Sequence, residues 1–252
     1  DCDIMVAKHN VSREDQDLFA KRSHDNAEKA WEAGHHQKEV VPVEIEPDFK
    51  MIKKDNGIRS GTPIEKLNKL KPAFDKKHGT LTAANSSFLT DGSAVCLIMT
   101  ESKAKELGLT PKAEIVDYCF TGQRLEDELL LGPAYAMSKV LDQTKLSLND
   151  IDVFEIHEAF AGQVLTNIKC LADDEFCKIE LQKEKPVGEI NINKVNKWGG
   201  SLSIGHPFGA TGARLLTTAA NRLIEENGQY AILSACAAGA HGHAMIIKKY
   251  EG

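Results

Sequence analysis

The 252-residue sequence lacks several features that define whole classes of protein. No apolar run approaches the roughly 18 residues that a membrane-spanning helix needs. Basic residues are not in excess: 31 Lys and Arg stand against 37 Asp and Glu, which gives a formal net charge of −6. Nucleic-acid-binding proteins usually show a basic surplus. Internal repeats and low-complexity tracts are missing as well. These absences argue against a membrane-spanning protein and a nucleic-acid binder.

The six cysteines are scattered, and no two of them form a C-x-x-C pair. Disulfide frameworks and zinc knuckles depend on recurrent close spacing of cysteines, so the pattern indicates free thiols in a reducing compartment. The first residues, Asp1-Cys2-Asp3, resemble no signal or transit peptide. Because no initiator Met is present, we expect a processed or truncated chain.

What is present is enough for a globular core: 42% of the residues are hydrophobic and 27% are charged. Up to about residue 79 the chain is charged and loop-rich. The capping box at 12–15 predicts an amphipathic helix that ends at Gly34, and Pro42 restricts residues 41–45 to an edge strand. A second capping box at 62–65 predicts another helix. The first 79 residues therefore form an appendage rather than a core.

After Gly79, short apolar segments alternate with helical patterns, which is typical of a layered α/β protein. We predict strands over residues 95–99, 113–120, 151–156, 230–235 and 243–247. We predict helices over residues 101–107, 133–141, 158–171 and 207–225. The polar stretch 178–197 is interpreted as an excursion over the surface.

Three short segments combine reactive side chains with small residues: H-E-A-F-A at 157–161, G-H-P-F-G at 205–209 and C-A-A-G at 236–239. Each lies at a predicted strand end or helix start, where open α/β sheets place their ligand sites. The glycines after the second segment do not match the dinucleotide-binding fingerprint. Taken singly, each segment has a structural and a functional interpretation.

His206 precedes a proline that favours a helix start, and a helix N-terminus would oppose protonation of the imidazole and leave it able to accept a proton. A capping or core histidine is the alternative. Cys236 is either a small buried apolar residue or a thiol whose pKa, ordinarily about 8.5, is tuned for proton transfer. His157 allows the same two interpretations. His241 and His243 have no third ligand in sequence, so we predict no metal site, and His35-His36 is expected to be exposed.

Together the three segments resemble the thiolase family. In that family a G-H-P-x-G segment supplies a histidine, an N-E-A-F segment supplies an oxyanion-hole group and a C-x-G segment supplies an acid/base cysteine. The resemblance covers most of the chain and includes S-R-E-D-Q-D-L-F-A-K-R-S-H at 12–24, T-A-A-N-S-S-F-L-T-D-G at 82–92 and residues 198–212. His157 replaces the common Asn and Ala238 the common Gly; both are typical of the mitochondrial trifunctional branch of the family.

The resemblance implies an α/β fold, a layered α-β-α-β-α sandwich. Residues 1–79 match its loop domain, 80–110 the last strand and helix of its N-terminal half, and 111–252 its C-terminal half. The family's nucleophilic cysteine lies in the N-terminal half, and Cys2 has no motif of that kind around it. We therefore expect the C-terminal portion of a thiolase, inactive and poorly stable on its own.

The activity implied is that of an acyltransferase: thiolytic cleavage of 3-ketoacyl-CoA by CoA to acetyl-CoA and a shortened acyl-CoA in fatty acid β-oxidation. His206 would activate the nucleophilic cysteine, Cys236 would act as acid and base, and His157 would stabilise an oxyanion. The resemblance places the backbone N–H of Ala238 in an oxyanion hole. It places Ser87 at the pantetheine arm of CoA.

Arg59 matches a family position near the adenine nucleotide of CoA. The resemblance implies CoA as a substrate, no separate cofactor and no metal, a thiolase dimer, an alpha-subunit partner and the mitochondrial inner membrane. Three other interpretations remain: a non-catalytic thiolase-like lipid carrier, a scaffold subunit, and a condensing enzyme of fatty-acid synthesis. The Cys236 segment argues against the last of these.

Overall fold

The computed structural model describes residues 1–125 and 128–252. The helices are α1 (Cys2–Lys8), α2 (Arg13–Glu32), α3 (Ile64–Leu67), α4 (Glu101–Glu106), α5 (Gly132–Thr144), α6 (Ala161–Ala172), α7 (Asp174–Ile179), α8 (Ser201–Ile204) and α9 (Thr211–Glu225). The strands are β1 (Val43–Ile45), β2 (Lys50–Ile52), β3 (Ala113–Gly122), β4 (Val153–Ile156), β5 (Tyr230–Ala237) and β6 (His241–Lys249). Three 3-10 turns span His36–Lys38, Leu148–Asp150 and Ile192–Lys194. In the described ranges, no helix is long and apolar enough to cross a bilayer.

The main sheet has the strand order β3-β6-β5-β4. β4 and β5 run parallel, whereas β6 is antiparallel to both β5 and β3. Side chains of β5 alternate between two cores: Ile232 packs with α5 and α6, whereas Ala231 and Leu233 pack with α9. The sheet therefore has helices on both faces, which confirms the predicted α/β fold class.

Helix α2 forms where the first capping box predicts it. The hydroxyl of Ser12 accepts the N–H of Asp15 at 3.0 Å, and the helix ends at Glu32, just before Gly34 at φ +80°. Its buried face packs on α6 and α8, and Phe19 and Ala20 belong to the same core as Ile232 of β5. The prediction that the first 79 residues are an appendage without a share in the core is therefore wrong. The second capping box fails, because Thr62 donates its hydroxyl to the carbonyl of Arg59 and α3 has only four residues.

Two other predictions are wrong. The apolar run 95–99 is not a strand; in the described part of the chain it has no ladder partner, and Val95 is 89% exposed. Helix α9 begins at Thr211 instead of Pro207, since Gly209 has the left-handed φ of +80° that breaks a helix.

The segment 178–197 is also less superficial than expected, because Val195 is buried and bridges to Phe154 of β4. The division of the chain at 79 and 110 stays a prediction.

Candidate active site

Two of the predicted histidines are in direct contact. His157 follows β4, and its backbone N–H donates to the carbonyl of Ser234 on β5 at 2.8 Å. Its side chain is buried, and its ring centroid lies 3.9 Å from that of His206, with the ring planes 35° apart. The structure therefore joins the H-E-A-F and G-H-P segments at one point, where β4 ends.

The imidazole of His157 is held by a hydroxyl. Its Nδ1 atom lies 2.8 Å from the Oγ atom of Ser201, the first residue of α8. Burial, and then the repulsion that a proton on His206 and the positive charge of Arg214 exert on a protonated ring, hold the pKa of His157 well below its usual range. The ring is therefore neutral at physiological pH. In the tautomer that is protonated at Nε2, Nδ1 accepts a hydrogen bond from Ser201 and Nε2–H is a donor.

Residues before and after His206 in the sequence fix its position. Gly205 has φ +86°, and a Cβ there would overlap the side chain of Thr90. On the other side, Nδ1 of His206 lies 2.7 Å from the hydroxyl of Thr211, which itself reaches the carbonyl of Pro207 at 3.4 Å. When Thr211 donates to Pro207, it accepts N–H from Nδ1, so Nε2 is the free, basic nitrogen.

The pKa of His206 is lowered by burial and by the charge of Arg214. The predicted direction is confirmed, but the predicted cause is wrong: α9 begins only at Thr211, so Pro207 does not place the imidazole at a helix start. A neutral imidazole is the form that can accept a proton. His206 can therefore serve as a base at neutral pH.

Cys236 lies on the strand next to His157. Ile156 is in register with Ser234, so β4 and β5 end at the same edge of the sheet, and Cys236 follows Ser234 by two residues. Burial raises the pKa of the Cys236 thiol to about 12. At neutral pH the group is a thiol that can donate a proton. Ala238 lies in the exposed turn between β5 and β6.

The two residues predicted to bind CoA lie on segments that face each other. The N–H of Ser87 donates to the carbonyl of Ala159 at 3.0 Å, which places Ser87 beside the His157 segment. Arg59 is exposed and lines a cleft of about 520 Å³, together with Phe88 and with Leu202 of α8. The cleft therefore runs from Arg59 towards the helix that precedes His206.

Other reactive side chains differ from their expected surroundings. Cys2 is buried in α1, and burial raises the pKa of its thiol to about 12, so it is a poor nucleophile. His36, expected to be exposed, is buried and lies 2.8 Å from the carbonyl of Trp198 through Nε2. Burial lowers the pKa of His36 to about 4.

Sequence reasoning missed Ser201 and Thr211, which orient the two imidazoles, and it gave Glu158 no role. For Thr211 the sequence offers weak evidence, namely a hydroxyl residue in the first turn of a helix that follows a histidine. The evidence for Glu158 is stronger, because a carboxylate that closely follows an apolar strand needs buried hydrogen-bond partners. Ser201 leaves no local signal.

Two family models match the chain. The thiolase C-terminal domain matches residues 109–249, and the thiolase N-terminal domain matches residues 2–102. The chain is 54% identical over 249 residues to a probable 3-ketoacyl-CoA thiolase of Caenorhabditis elegans, covering 98% of this chain and 55% of that protein. It is 51% identical over 248 residues to the mitochondrial trifunctional enzyme subunit beta of Homo sapiens, covering 98% and 52%.

Solved structures are similar over nearly the whole chain. Bacillus anthracis acetyl-CoA acetyltransferase gives a TM-score of 0.86 at 38% identity, covering 99% of this chain and 59% of that one. Human mitochondrial 3-ketoacyl-CoA thiolase in complex with CoA gives 0.81 at 32% identity, covering 99% and 58%. The chain spans about half the length of the curated relatives it matches.

Proposed function

Since the chain belongs to the thiolase family, we propose that it supplies the histidines and the acid/base cysteine of a 3-ketoacyl-CoA thiolase. The reaction is acyl transfer: cleavage of 3-ketoacyl-CoA by CoA to acetyl-CoA and a shortened acyl-CoA in fatty acid β-oxidation. The contact between His157 and His206, beside the strand that carries Cys236, is the observation that supports it.

The first step needs a nucleophilic cysteine, which the family supplies from its N-terminal half. His206 Nε2 takes the proton of that thiol, and the thiolate attacks the 3-keto carbon. The bond between C2 and C3 then breaks. Its electron pair leaves on C2 as the acetyl-CoA enolate, and the shortened acyl group stays on the cysteine as a thioester.

Cys236 moves the second proton. A thiol with a pKa of about 12 is protonated at neutral pH and gives its proton to C2 of the enolate, which releases acetyl-CoA. The Cys236 thiolate then takes the proton of incoming CoA, whose sulfur attacks the thioester. The C–S bond to the nucleophilic cysteine breaks, the shortened acyl-CoA leaves, and the cysteine thiolate takes its proton back from His206 Nε2. The raised pKa makes the thiolate a strong base towards a CoA thiol of ordinary acidity.

His157 stabilises the negative charge that develops on oxygen. It is neutral, and a hydrogen bond from Ser201 to Nδ1 leaves Nε2–H as the donor. The backbone N–H of Ala238 is proposed as a second donor. Preorganised donors of this kind are worth about 3 kcal/mol each in other enzymes.

CoA is proposed to enter as a substrate, with no separate cofactor and no metal. The cleft lined by Arg59 is proposed to take the adenine nucleotide, and Ser87 the pantetheine arm that leads to His157. A related human thiolase is described in complex with CoA. Because relatives are called mitochondrial trifunctional enzyme subunit beta, we place the protein in the mitochondrion, as a thiolase dimer bound to an alpha subunit at the inner membrane.

The test is a thiolysis assay on the full-length protein that carries this sequence, with 3-ketoacyl-CoA and CoA. The wild type should produce acetyl-CoA, and His206→Ala should reduce kcat at least about 100-fold. A lipid carrier would bind acyl-CoA without turnover and would be indifferent to the change. A scaffold subunit would assemble normally with its partner and also lack turnover; either outcome overturns the proposal.

A further inference from the structure

Glu158 is a fully buried carboxyl group next to His157, and it is held by three donors from three parts of the fold. The hydroxyl of Ser23 on α2 donates to Oε2 at 2.7 Å, and the N–H of Leu202 on α8 donates to the same oxygen at 3.1 Å. The amide of Asn196 donates to Oε1 at 2.7 Å. A single side chain thus joins α2, α8 and the segment that leads into α8.

The orientation of the Asn196 amide is fixed. Its Oδ1 accepts the N–H of Ile156 and its Nδ2 donates to the carbonyl of the same residue, both at 2.8 Å. The amide therefore cannot turn its oxygen towards Glu158, which must accept on that side. All three hydrogen bonds are donated to the carboxyl group, a pattern that favours the carboxylate.

Charge around Glu158 is balanced within the core. Burial raises the pKa of Glu158, and the three donors and the positive charge of Arg214 oppose that rise. Arg22 on α2 is the other cation that faces it, and the negative charge of Glu158 in turn raises the pKa of Arg22 against burial. Among the described residues, Arg214 and Arg22 thus compensate the carboxylate through their charge and without a direct ion pair.

Two consecutive residues of one segment bind two consecutive residues of another. His157 binds Ser201 and Glu158 binds Leu202, so the end of β4 holds the first turn of α8 at two points. The fit is close, because a Cβ on Gly200 would overlap the Glu158 carboxyl group. Helix α8 ends at Ile204 and is followed by Gly205 and His206, so its position sets the position of the second imidazole.

We propose that Glu158 is a positioning residue for the thiolase reaction: it fixes α8 against the end of β4 and so holds His206 opposite His157. Through Ser23, the same carboxylate makes the spacing of the imidazoles depend on α2. This inference rests on the proposed function.

The test uses the full-length protein and the variant Glu158→Gln. Glutamine keeps the shape of the side chain. Its NH₂ group, however, would face at least one of the three groups that donate a hydrogen bond to Glu158, so two donors would then meet. We expect kcat to fall at least about tenfold while KM for CoA changes by a smaller factor, because Glu158 itself does not line the cleft that Arg59 lines. Ser23→Ala removes one donor and should lower kcat about threefold in a protein that folds, so it replaces Glu158→Gln if that variant does not.

A second readout does not depend on turnover. Nitrogen NMR of the histidine rings reports the environment of Nδ1, and the His157 signal should shift in Glu158→Gln as the bond to Ser201 loosens. The matched control is Glu155→Gln, an equally buried carboxyl on β4 that pairs with Arg222. The control should lower the Tm yet leave the His157 signal and kcat close to wild type.

Wild-type kcat in Glu158→Gln would overturn the inference. So would an unshifted His157 signal together with a loss of kcat that Glu155→Gln shows equally at the same loss of Tm. A wild-type protein without thiolase activity would overturn the proposed function instead. The NMR comparison still tests the role of Glu158 in that case, so the two failures are distinguishable.

Discussion

The Nδ1 atom of His206 lies 2.7 Å from the hydroxyl oxygen of Thr211, five residues further along the chain. Because Thr211 also reaches the carbonyl of Pro207, its hydroxyl is set to accept from Nδ1–H and to leave Nε2 without a proton. The tautomer of the proposed base is therefore chosen by the first residue of the following helix.

Thr211→Val removes that acceptor and keeps the shape of the side chain. The imidazole then exchanges between tautomers and loses its orientation, so we expect kcat/KM for thiolysis to fall about tenfold. Thr211→Ser retains the hydroxyl and should stay within about threefold of wild type. Equal activity of the valine and serine variants would contradict the assigned tautomer.

Cys236→Ser tests the acid/base thiol. A serine hydroxyl is far less acidic than a thiol, so both proton transfers slow, and we expect kcat to fall about 100-fold or more with KM nearly unchanged. Steady-state rates on the full-length protein measure this. Cys119→Ser is the control, since Cys119 is a buried thiol on β3 that bonds the carbonyl of Ala136; a comparable loss there would point to folding.

Stability should fall in mildly acidic solution because of two histidines, the buried His36 and the half-buried His24. Burial lowers the pKa of His36 and of His24 to about 4 each, whereas an unfolded histidine has a pKa of about 6.5. Their contribution to the free energy of unfolding is fully present above pH 6.5. It is lost as the pH falls towards 4, because over this range the unfolded chain binds protons that the folded chain does not bind.

Urea unfolding at a series of pH values measures the effect. His36→Gln keeps a donor for the carbonyl of Trp198 and should flatten the dependence of the unfolding free energy on pH between 6.5 and 4. A slope that is unchanged in this variant would show that His36 does not titrate as its burial implies.

Gly205→Ala should be strongly destabilising. The residue has φ +86°, and its new Cβ would overlap Thr90, so we expect a loss of about 3 kcal/mol in the free energy of unfolding. Gly209→Ala is the matched control, with φ +80° and nothing within 4 Å of the added carbon. It should cost only about 1 kcal/mol. Equal losses in denaturant melts would show that crowding by Thr90 is unimportant.

Local patterns account for most of the elements. The Ser12 cap and the apolar spacing after it predict α2, and alternating apolar residues predict β3, β5 and β6 within a few positions. The one-turn helix α8 was not predictable, because Ser23 and Glu158, both distant in sequence, hold it. The run 95–99 has the composition of a strand, but a strand also needs a neighbour, and composition does not supply one.

The residues of the candidate site also fall into those that local sequence patterns indicate and those that they do not. His157, His206 and Cys236 were singled out because reactive side chains beside small residues form short motifs, and their catalytic roles stay a prediction. Ser201 was not assigned a role, because its hydrogen bond to His157, on a segment far away in sequence, leaves no periodic or local trace. Glu158 was not assigned one although its position after an apolar strand indicates buried hydrogen-bond partners. Placement of Ser87 beside Ala159 agrees with its expected neighbourhood, while its role towards CoA stays a prediction.

The turn at 238–240 matters for reactivity as well as for pairing. Ala237 pairs with His241 across it, and side chains along β5 alternate between the two faces of the sheet. One residue inserted into that turn, with the ladder re-formed one step along, would exchange the thiol for a methyl group from Ala235 or Ala237. The sheet could still fold after such a slip, but the protein would have lost the thiol proposed as its proton donor.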